Sequence, residues 1–200
     1  MSKFIIIGAL IAILLYYIIR RFKISGNSAQ TNLSKRNSQY IELSAPIFVL
    51  KNALKKTLVT VASGIILLLI IILLAVKFKI ILILLPISIF LIAQFFVLNN
   101  HIKKIKSQRL IYDTTQHTIT AEVMDGNTKY IALDRDNIKL KIVKSVQKNN
   151  GVLLGFYELY ADSNKITIPF LVAENLQTKP FFDKLKEFDR EIETKLFPII

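Results

Sequence analysis

The sequence predicts a membrane protein of mixed class, in which transmembrane helices precede a cytoplasmic α+β domain. Two observations predict this fold class. Long apolar runs with basic flanks fill the first half of the chain, whereas residues 107–200 alternate short apolar patterns with turn residues. The 200-residue chain is 52% hydrophobic and carries a formal net charge of +13, which is not the composition of an ordinary soluble protein.

Two adjacent apolar runs predict a transmembrane hairpin with basic flanks over residues 47–106. Residues 57–76 and 80–98 contain 20 and 19 residues without a charge, and at about 1.5 Å per residue each matches a hydrocarbon core roughly 30 Å thick. Only residues 77–79 separate the runs, so the two helices should be antiparallel. Residues 47–56 are either a short interfacial helix or an early start of the first of these helices.

A third apolar run, residues 4–19, lies near the start of the chain. Lys3 and Arg20 flank it, and snorkelling of their side chains makes up for its slightly short length. Cations follow this run where a cleavage site would need small residues, so an uncleaved anchor over residues 1–23 is favoured over a cleaved signal peptide. Residues 24–46 are rich in Ser, Asn and Gln and are expected to form a flexible cytoplasmic linker.

The positions of Lys and Arg predict the orientation, because these residues are retained on the cytoplasmic side. Seven cations flank the outer ends of the two apolar runs of the hairpin, whereas two lie in its turn. Near the start of the chain, more cations follow the apolar run 4–19 than precede it. We therefore expect a multi-pass protein of the cell (inner) membrane, with its N-terminus outside and its C-terminal domain in the cytoplasm. The cations at the ends of the hairpin are Lys51, Lys55, Lys56, Lys103, Lys104, Lys106 and Arg109.

The domain over residues 107–200 is predicted to be an antiparallel β structure of six strands. Asp125-Gly126 and Asn149-Asn150-Gly151 have the composition of tight hairpin turns. Pro169 is expected at an edge or at the end of a strand. The predicted strands are 109–112, 118–124, 129–133, 138–142, 152–160 and 165–170.

The end of the chain is predicted to form one amphipathic helix that docks on this sheet. Thr178 is a candidate N-cap with Pro180 in the first turn. Six strands and one helix are enough for a small open barrel or sandwich that the helix plugs. The apolar stripe of the helix consists of Phe181, Leu185, Phe188, Ile192 and Leu196.

This arrangement resembles bacterial membrane proteins in which a transmembrane hairpin precedes a pleckstrin-homology-like (PH-like) domain. The resemblance covers roughly residues 47–196. It rests on the basic-flanked hairpin, the LIYDTTQHTIT hairpin, the IALDRDNIKL segment and the ending ITIPF…FFDKLKEF. The resemblance implies an antiparallel barrel or sandwich of six to seven strands with a C-terminal helix, and a binding or scaffolding domain without catalytic residues.

Small and polar residues in the apolar runs are predicted to pack helices together. Gly8 and Ala12 offer one small-residue face, Ser63 and Gly64 offer another, and Gln94 can donate a hydrogen bond across helices. The three runs contain no ionisable residue, whereas a transporter or proton pathway usually needs one.

Four lysines are candidate contacts for anionic lipid or an acidic partner. Lys139, Lys141, Lys144 and Lys148 are partly aligned on the outward face of a predicted strand that runs into a hairpin. A solvated strand face is the alternative, because residues 107–200 carry 13 basic and 13 acidic side chains. This neutrality also argues against nucleic-acid binding, which requires a basic surplus on the folded domain.

The sequence predicts no catalytic, cofactor or metal site. It contains no Cys and two His, which excludes disulfides and Cys-ligated metals, and its turn Asp residues lack calcium-loop spacing. We therefore expect a non-enzymatic membrane adaptor or scaffold that contacts the lipid bilayer and a membrane or cytoplasmic protein, or a second copy of itself. The alternative is an accessory or regulatory subunit of a membrane transport or channel complex.

Overall fold

The computed structural model describes residues 39–200 apart from 125, 136, 162 and 163. The predicted N-terminal anchor with Gly8 and Ala12, and most of the predicted linker, lie outside the described residues. The helices are α1 (Ile47–Ala75), α2 (Leu85–Ser107) and α3 (Lys179–Leu185). The strands are β1 (Tyr40–Glu42), β2 (Gln108–Asp113), β3 (Thr118–Val123), β4 (Thr128–Ala132), β5 (Ile138–Ser145), β6 (Gly155–Ala161), β7 (Asn164–Pro169) and β8 (Arg190–Lys195).

The helices α1 and α2 form the predicted antiparallel hairpin. The helix α1 is continuous from Ile47, directly after Pro46, so residues 47–56 belong to the same helix as the first apolar run of the hairpin. The second half begins as a 3₁₀ helix at Lys79–Leu84 and becomes α-helical at Leu85. Pro86 lies in the first turn of α2, where its missing N–H breaks no hydrogen bond.

Both halves of the hairpin are long and apolar enough to cross a membrane. Only 22% of the most apolar 18-residue window of each is buried inside the protein. The core helix of a soluble protein would be mostly buried, because its apolar side chains would otherwise face water. The exposed apolar surface therefore suggests, weakly, that the hairpin lies in a membrane.

The first sheet has the strand order β1-β2-β3-β4 and is antiparallel throughout. Its first strand, β1, comes from the segment predicted to be a flexible linker. Tyr40 pairs with Asp113 of β2, and the side-chain amide of Gln39 donates hydrogen bonds to the Asp113 carboxylate. The end of the linker next to the hairpin is thus ordered by pairing with a strand that follows the hairpin in the chain.

The second sheet has the strand order β7-β6-β5-β8. The pairs β5–β6 and β6–β7 are antiparallel, whereas β8 lies parallel to β5. The two sheets approach each other at β4 and β7, where the Asn164 side-chain amide donates a hydrogen bond to the Tyr130 carbonyl at 3.1 Å. The predicted mixture of helices and antiparallel-rich sheet is confirmed. The described part of residues 107–200 forms seven strands instead of the six predicted, and β1 is an additional strand before the hairpin.

The prediction of one long C-terminal helix was wrong. The helix α3 ends at Leu185 and the chain continues as β8. Phe181 and Leu185 are buried as the apolar stripe predicts, but Ile192 and Leu196 are 55% and 58% exposed. Charged and β-branched residues alternate after residue 190, and a strand there pairs the backbone of the β5 edge, which would otherwise lack a partner.

The β domain has a buried core between its sheets and under α3. Tyr112, Ile119, Ile131, Leu159 and Phe181 are among its most deeply buried members. The rings of Phe181 and Tyr112 pack edge to face with 5.1 Å between their centroids. Burial of these large side chains is the main source of stability for the domain.

Candidate interaction surface

The two helices of the hairpin approach closely at Gly64. A Cβ atom at this position would lie 2.8 Å from Leu91 Cβ and 3.1 Å from both the Ser88 carbonyl oxygen and Ile92 Cγ1. The buried Ser88 hydroxyl donates a hydrogen bond of 2.8 Å to the Gly64 carbonyl. Gly64 therefore permits close contact between the backbones, as small residues do in membrane helix pairs.

Ser63 and Gln94, the other two described residues in the predicted packing set, differ in environment. Ser63 is exposed, and its hydroxyl donates to the carbonyl of Val59 in its own helix at 3.1 Å. Gln94 is 3% exposed, but its amide nitrogen has no hydrogen-bond partner among the described residues. Of these three positions, Gly64 is the one that accepts a hydrogen bond from the other helix.

The two ends of the hairpin that lie away from its turn share a second buried cluster with the β domain. The Asn149 side-chain amide, in the turn after β5, donates a hydrogen bond of 3.2 Å to the Thr57 hydroxyl of α1. The turn itself is the predicted Asn-Gly hairpin, with positive φ at Asn150 and Gly151. The buried members of this junction cluster are Val49, Ala53, Val97, Leu98, Ile102, Val152, Leu154 and Leu171.

Residues after β8 also bind to α2. The Asn100 side chain accepts a hydrogen bond from the Ile200 N–H at 2.8 Å and donates to its carbonyl at 3.2 Å. A ring nitrogen of His101 lies 2.7 Å from the Pro198 carbonyl oxygen, and the Phe197 ring packs on Phe90 at 5.4 Å between centroids. The β domain is therefore fixed to both helices.

The four candidate lysines do not form one free basic face. Lys139 is exposed, and Lys148 is exposed beside Asn149. Lys141 forms ion pairs with Glu193 and Glu191 of β8, at 3.1 and 3.6 Å. The hydrogen bond to Glu193 raises the pKa of Lys141.

Lys144 lies on the opposite face of β5 from Lys139 and Lys141, because side chains alternate along a strand. The two glutamates of β8 partly neutralise the charge of Lys141. The sequence did not predict these ion pairs, because it predicted a helix where β8 lies. Lys141 therefore lies on an ion-paired part of the strand face.

The outer face of the second sheet carries a partly buried network around Glu158. Lys165 Nζ lies 2.6 Å from the Glu158 carboxylate, and the Tyr160 hydroxyl donates to it at 2.6 Å. Burial alone would raise the pKa of Glu158, but these hydrogen bonds and the Lys165 and Lys141 charges outweigh it and lower the pKa. This arrangement stabilises the ionised carboxylate and is suited to a structural role.

The outer face of the first sheet exposes aromatic and apolar side chains, and sequence reasoning missed it. Tyr40 and Tyr130 are 56% and 49% exposed. Tyr130 is aligned through Thr120 and Ile111 with Glu42 of β1, and Tyr40 lies two residues along β1 from that row. Exposed tyrosines beside apolar residues are typical of protein-binding surfaces. The alternation of β2 and β3 in the sequence could have indicated this face, but the position of Tyr40 required the unforeseen strand β1.

Charged residues border this tyrosine face. Arg109 of β2 lies 3.6 Å from Glu42 of β1 and 3.7 Å from Glu122, its partner in β3. Such a mixed charged rim next to exposed aromatic rings is the usual anatomy of a protein interface.

Groups suited to catalysis or metal binding are sparse in the part of the chain that the structure describes. It contains no cluster of three or more His, Asp or Glu residues placed to hold a metal ion. His117, which has a positive φ, is hydrogen-bonded through Nδ1 to the Tyr112 hydroxyl at 2.7 Å. That contact closes the β2–β3 turn.

The chain was compared with protein families, curated proteins and solved structures, and none of them matches it. The fold itself therefore defines the class: an apolar helical hairpin whose two ends are built into a two-sheet β domain.

Proposed function

We propose that this protein is a non-enzymatic integral membrane adaptor that holds a PH-like β domain at the cytoplasmic face of the cell membrane and binds a protein partner there. The observation that carries the proposal is the junction cluster between the hairpin ends and the β domain. A domain with its own core can be connected to membrane helices by a flexible linker alone. This β domain instead packs directly on both helices. Such an attachment suits a domain that presents one surface in a fixed orientation to the membrane.

The orientation in the proposal is the one that the basic flanks predict. The ends of the hairpin, and with them the β domain, lie in the cytoplasm, and a third span over residues 4–19 places the N-terminus outside. The pairing of β1 with β2 supports an even number of crossings between them, because both strands belong to one sheet.

The tyrosine face of the first sheet is the proposed binding surface. Tyr40 and Tyr130 offer large, rigid contact areas, and the adjacent Arg109 with its two glutamates supplies polar contacts at the rim. Tyrosine and arginine are the side chains that most often dominate the energy of protein interfaces. The proposed partner is therefore a protein with a partly apolar surface that contacts the β domain next to the membrane.

Site-specific photo-crosslinking in cells tests this proposal. A photoreactive amino acid replaces Tyr40 or Tyr130, and the control replaces Lys139, which is exposed on the second sheet. We expect one discrete protein adduct from both tyrosine positions and none from the control. Tyr130→Asp should then reduce recovery of that partner at least tenfold, because a charge would be buried in the interface.

The outcomes distinguish the interpretations. An adduct of twice the chain mass would make the partner a second copy of this protein, and an adduct to a transport or channel subunit would favour the accessory-subunit alternative. Equal crosslinking from all three positions, or none from either tyrosine, would contradict the proposed binding surface.

A further inference from the structure

A shallow groove runs along one face of α1 near its beginning. It has a volume of about 430 Å³, is open to the surroundings, and is lined by two lysines, Lys51 and Lys55, followed by apolar side chains. The apolar lining consists of Leu54, Leu58, Val59 and Ala62. The spacing of these residues places them on one side of a single helix.

The groove crosses the predicted boundary between headgroups and hydrocarbon. The uncharged run begins at residue 57, so Leu58, Val59 and Ala62 lie at hydrocarbon depth in a bilayer. Lys51 and Lys55 precede the boundary by less than two helical turns, which places their ammonium groups at the level of lipid phosphates.

Among the described residues these two lysines have no acidic partner, unlike several lysines of the β domain. No carboxylate among the described residues lies within 4.0 Å of Lys51 Nζ or Lys55 Nζ. By contrast, Lys141, Lys165 and Lys184 each contact at least one carboxylate. Like charges four residues apart on a helix repel each other, and an anion between them would relieve that repulsion.

We propose that the groove binds one anionic phospholipid of the leaflet that contains the ends of the hairpin. The lipid phosphate lies between Lys51 Nζ and Lys55 Nζ, and one acyl chain follows Leu58, Val59 and Ala62. The arrangement matches the ligand at both ends, because two unpaired cations meet the phosphate and an apolar strip meets the chain. The site needs only that the hairpin crosses the membrane, and it is independent of the proposed protein partner.

Fluorescence quenching in lipid bilayers tests the proposal with the full chain. The protein contains no Trp, so Val59→Trp or, as a second reporter, Ala62→Trp gives a single signal from the groove. Bilayers of phosphatidylcholine and phosphatidylglycerol are prepared with bromine on the chains of one lipid or the other. Ile66→Trp, at an exposed position deeper in α1, reports on membrane insertion alone.

We expect the groove reporter to be quenched preferentially by brominated phosphatidylglycerol, with a relative affinity about 5- to 30-fold above phosphatidylcholine. This range corresponds to one or two lysine–phosphate contacts near a membrane surface. Lys51→Gln with Lys55→Gln should reduce the preference to near onefold. The control, Lys103→Gln with Lys106→Gln, removes the same charge from exposed positions on α2 and should keep at least half of the preference.

Three results would overturn the lipid site. Equal quenching by the two brominated lipids would show no selectivity, and an equal loss in both double variants would reduce the effect to diffuse surface charge. A groove reporter shielded from both lipids while Ile66→Trp is quenched would mean that a protein segment covers the groove. If Ile66→Trp is not quenched by either lipid, the hairpin does not lie in the membrane, and the adaptor proposal is refuted as well.

Discussion

Replacement of Gly64 by Ala should weaken the hairpin, although Ala normally favours a helix. The added methyl carbon would lie 2.8 Å from Leu91 Cβ and 3.1 Å from the backbone oxygen of Ser88. Neither atom sits at the end of a flexible side chain, so the two helices must move apart.

The magnitude follows from three contributions. Overpacking at such a contact costs about 1–3 kcal/mol, and weakening of the Ser88–Gly64 hydrogen bond costs roughly 0.6 kcal/mol in a membrane protein. The higher helix propensity of Ala returns up to about 1 kcal/mol. We expect Gly64→Ala to lower the free energy of unfolding by about 0.6–2.6 kcal/mol.

Unfolding of the purified protein in increasing SDS measures this change. The chain has no Cys, so Asn52→Cys and Lys106→Cys, both exposed, accept a donor and an acceptor dye at the same end of the hairpin. Ser63→Ala is the matched control, since the exposed Ser63 contacts only its own helix, and it should stay within about 0.5 kcal/mol of the parent. A Gly64→Ala variant as stable as the parent would refute the close approach of the helices.

Three further predictions concern the β domain. Phe181→Ala should lower the free energy of unfolding by about 3–5 kcal/mol, because the ring is fully buried, and a shift of Tm below 5 °C would contradict this. The lowered pKa of Glu158 stabilises the fold above the ordinary Glu pKa of about 4.3, and this stability is lost as the pH falls through the lower folded-state pKa. Glu158→Gln should therefore show a smaller drop in Tm between pH 6 and pH 3 (about these values), and an unchanged drop would disprove the role of its ion pair with Lys165. Lys141→Glu should raise amide hydrogen exchange in β8 by repelling its two glutamates, whereas Lys139→Glu should not, and equal exchange in both variants would argue against the ion pairs.

Local features of this fold could be predicted from the sequence. The uncharged runs fix the hairpin because their length and composition need no knowledge of distant residues. The turn at Asn150 and Gly151 follows from the positive φ angles that these residues tolerate. Strands β2 to β7 lie near their predicted positions because neighbours in the sequence are also neighbours in each sheet.

Pairings between distant segments could not be predicted. The short strand β1 has three residues and gains its structure from β2, across the whole hairpin. Around β8, the spacing of Phe188, Ile192 and Leu196 is compatible with a helix, and the alternation of residues 190–195 is compatible with a strand. The strand forms because it pairs with the open edge of β5. The neutralisation of Lys141 depends on that same strand, so the candidate basic face could not be assessed before β8 was known.

The pairing of β1 with β2 also sets an order of events during biosynthesis. Tyr40 leaves the ribosome before the hairpin, and its partner Asp113 leaves only after both apolar helices have been made. Until then, β1 has no neighbouring strand and the first sheet cannot close. When the hairpin inserts into a membrane, a chain with only one helix across the bilayer would hold β1 and β2 on opposite sides. Completion of the sheet would thus act as a check that both helices have been inserted.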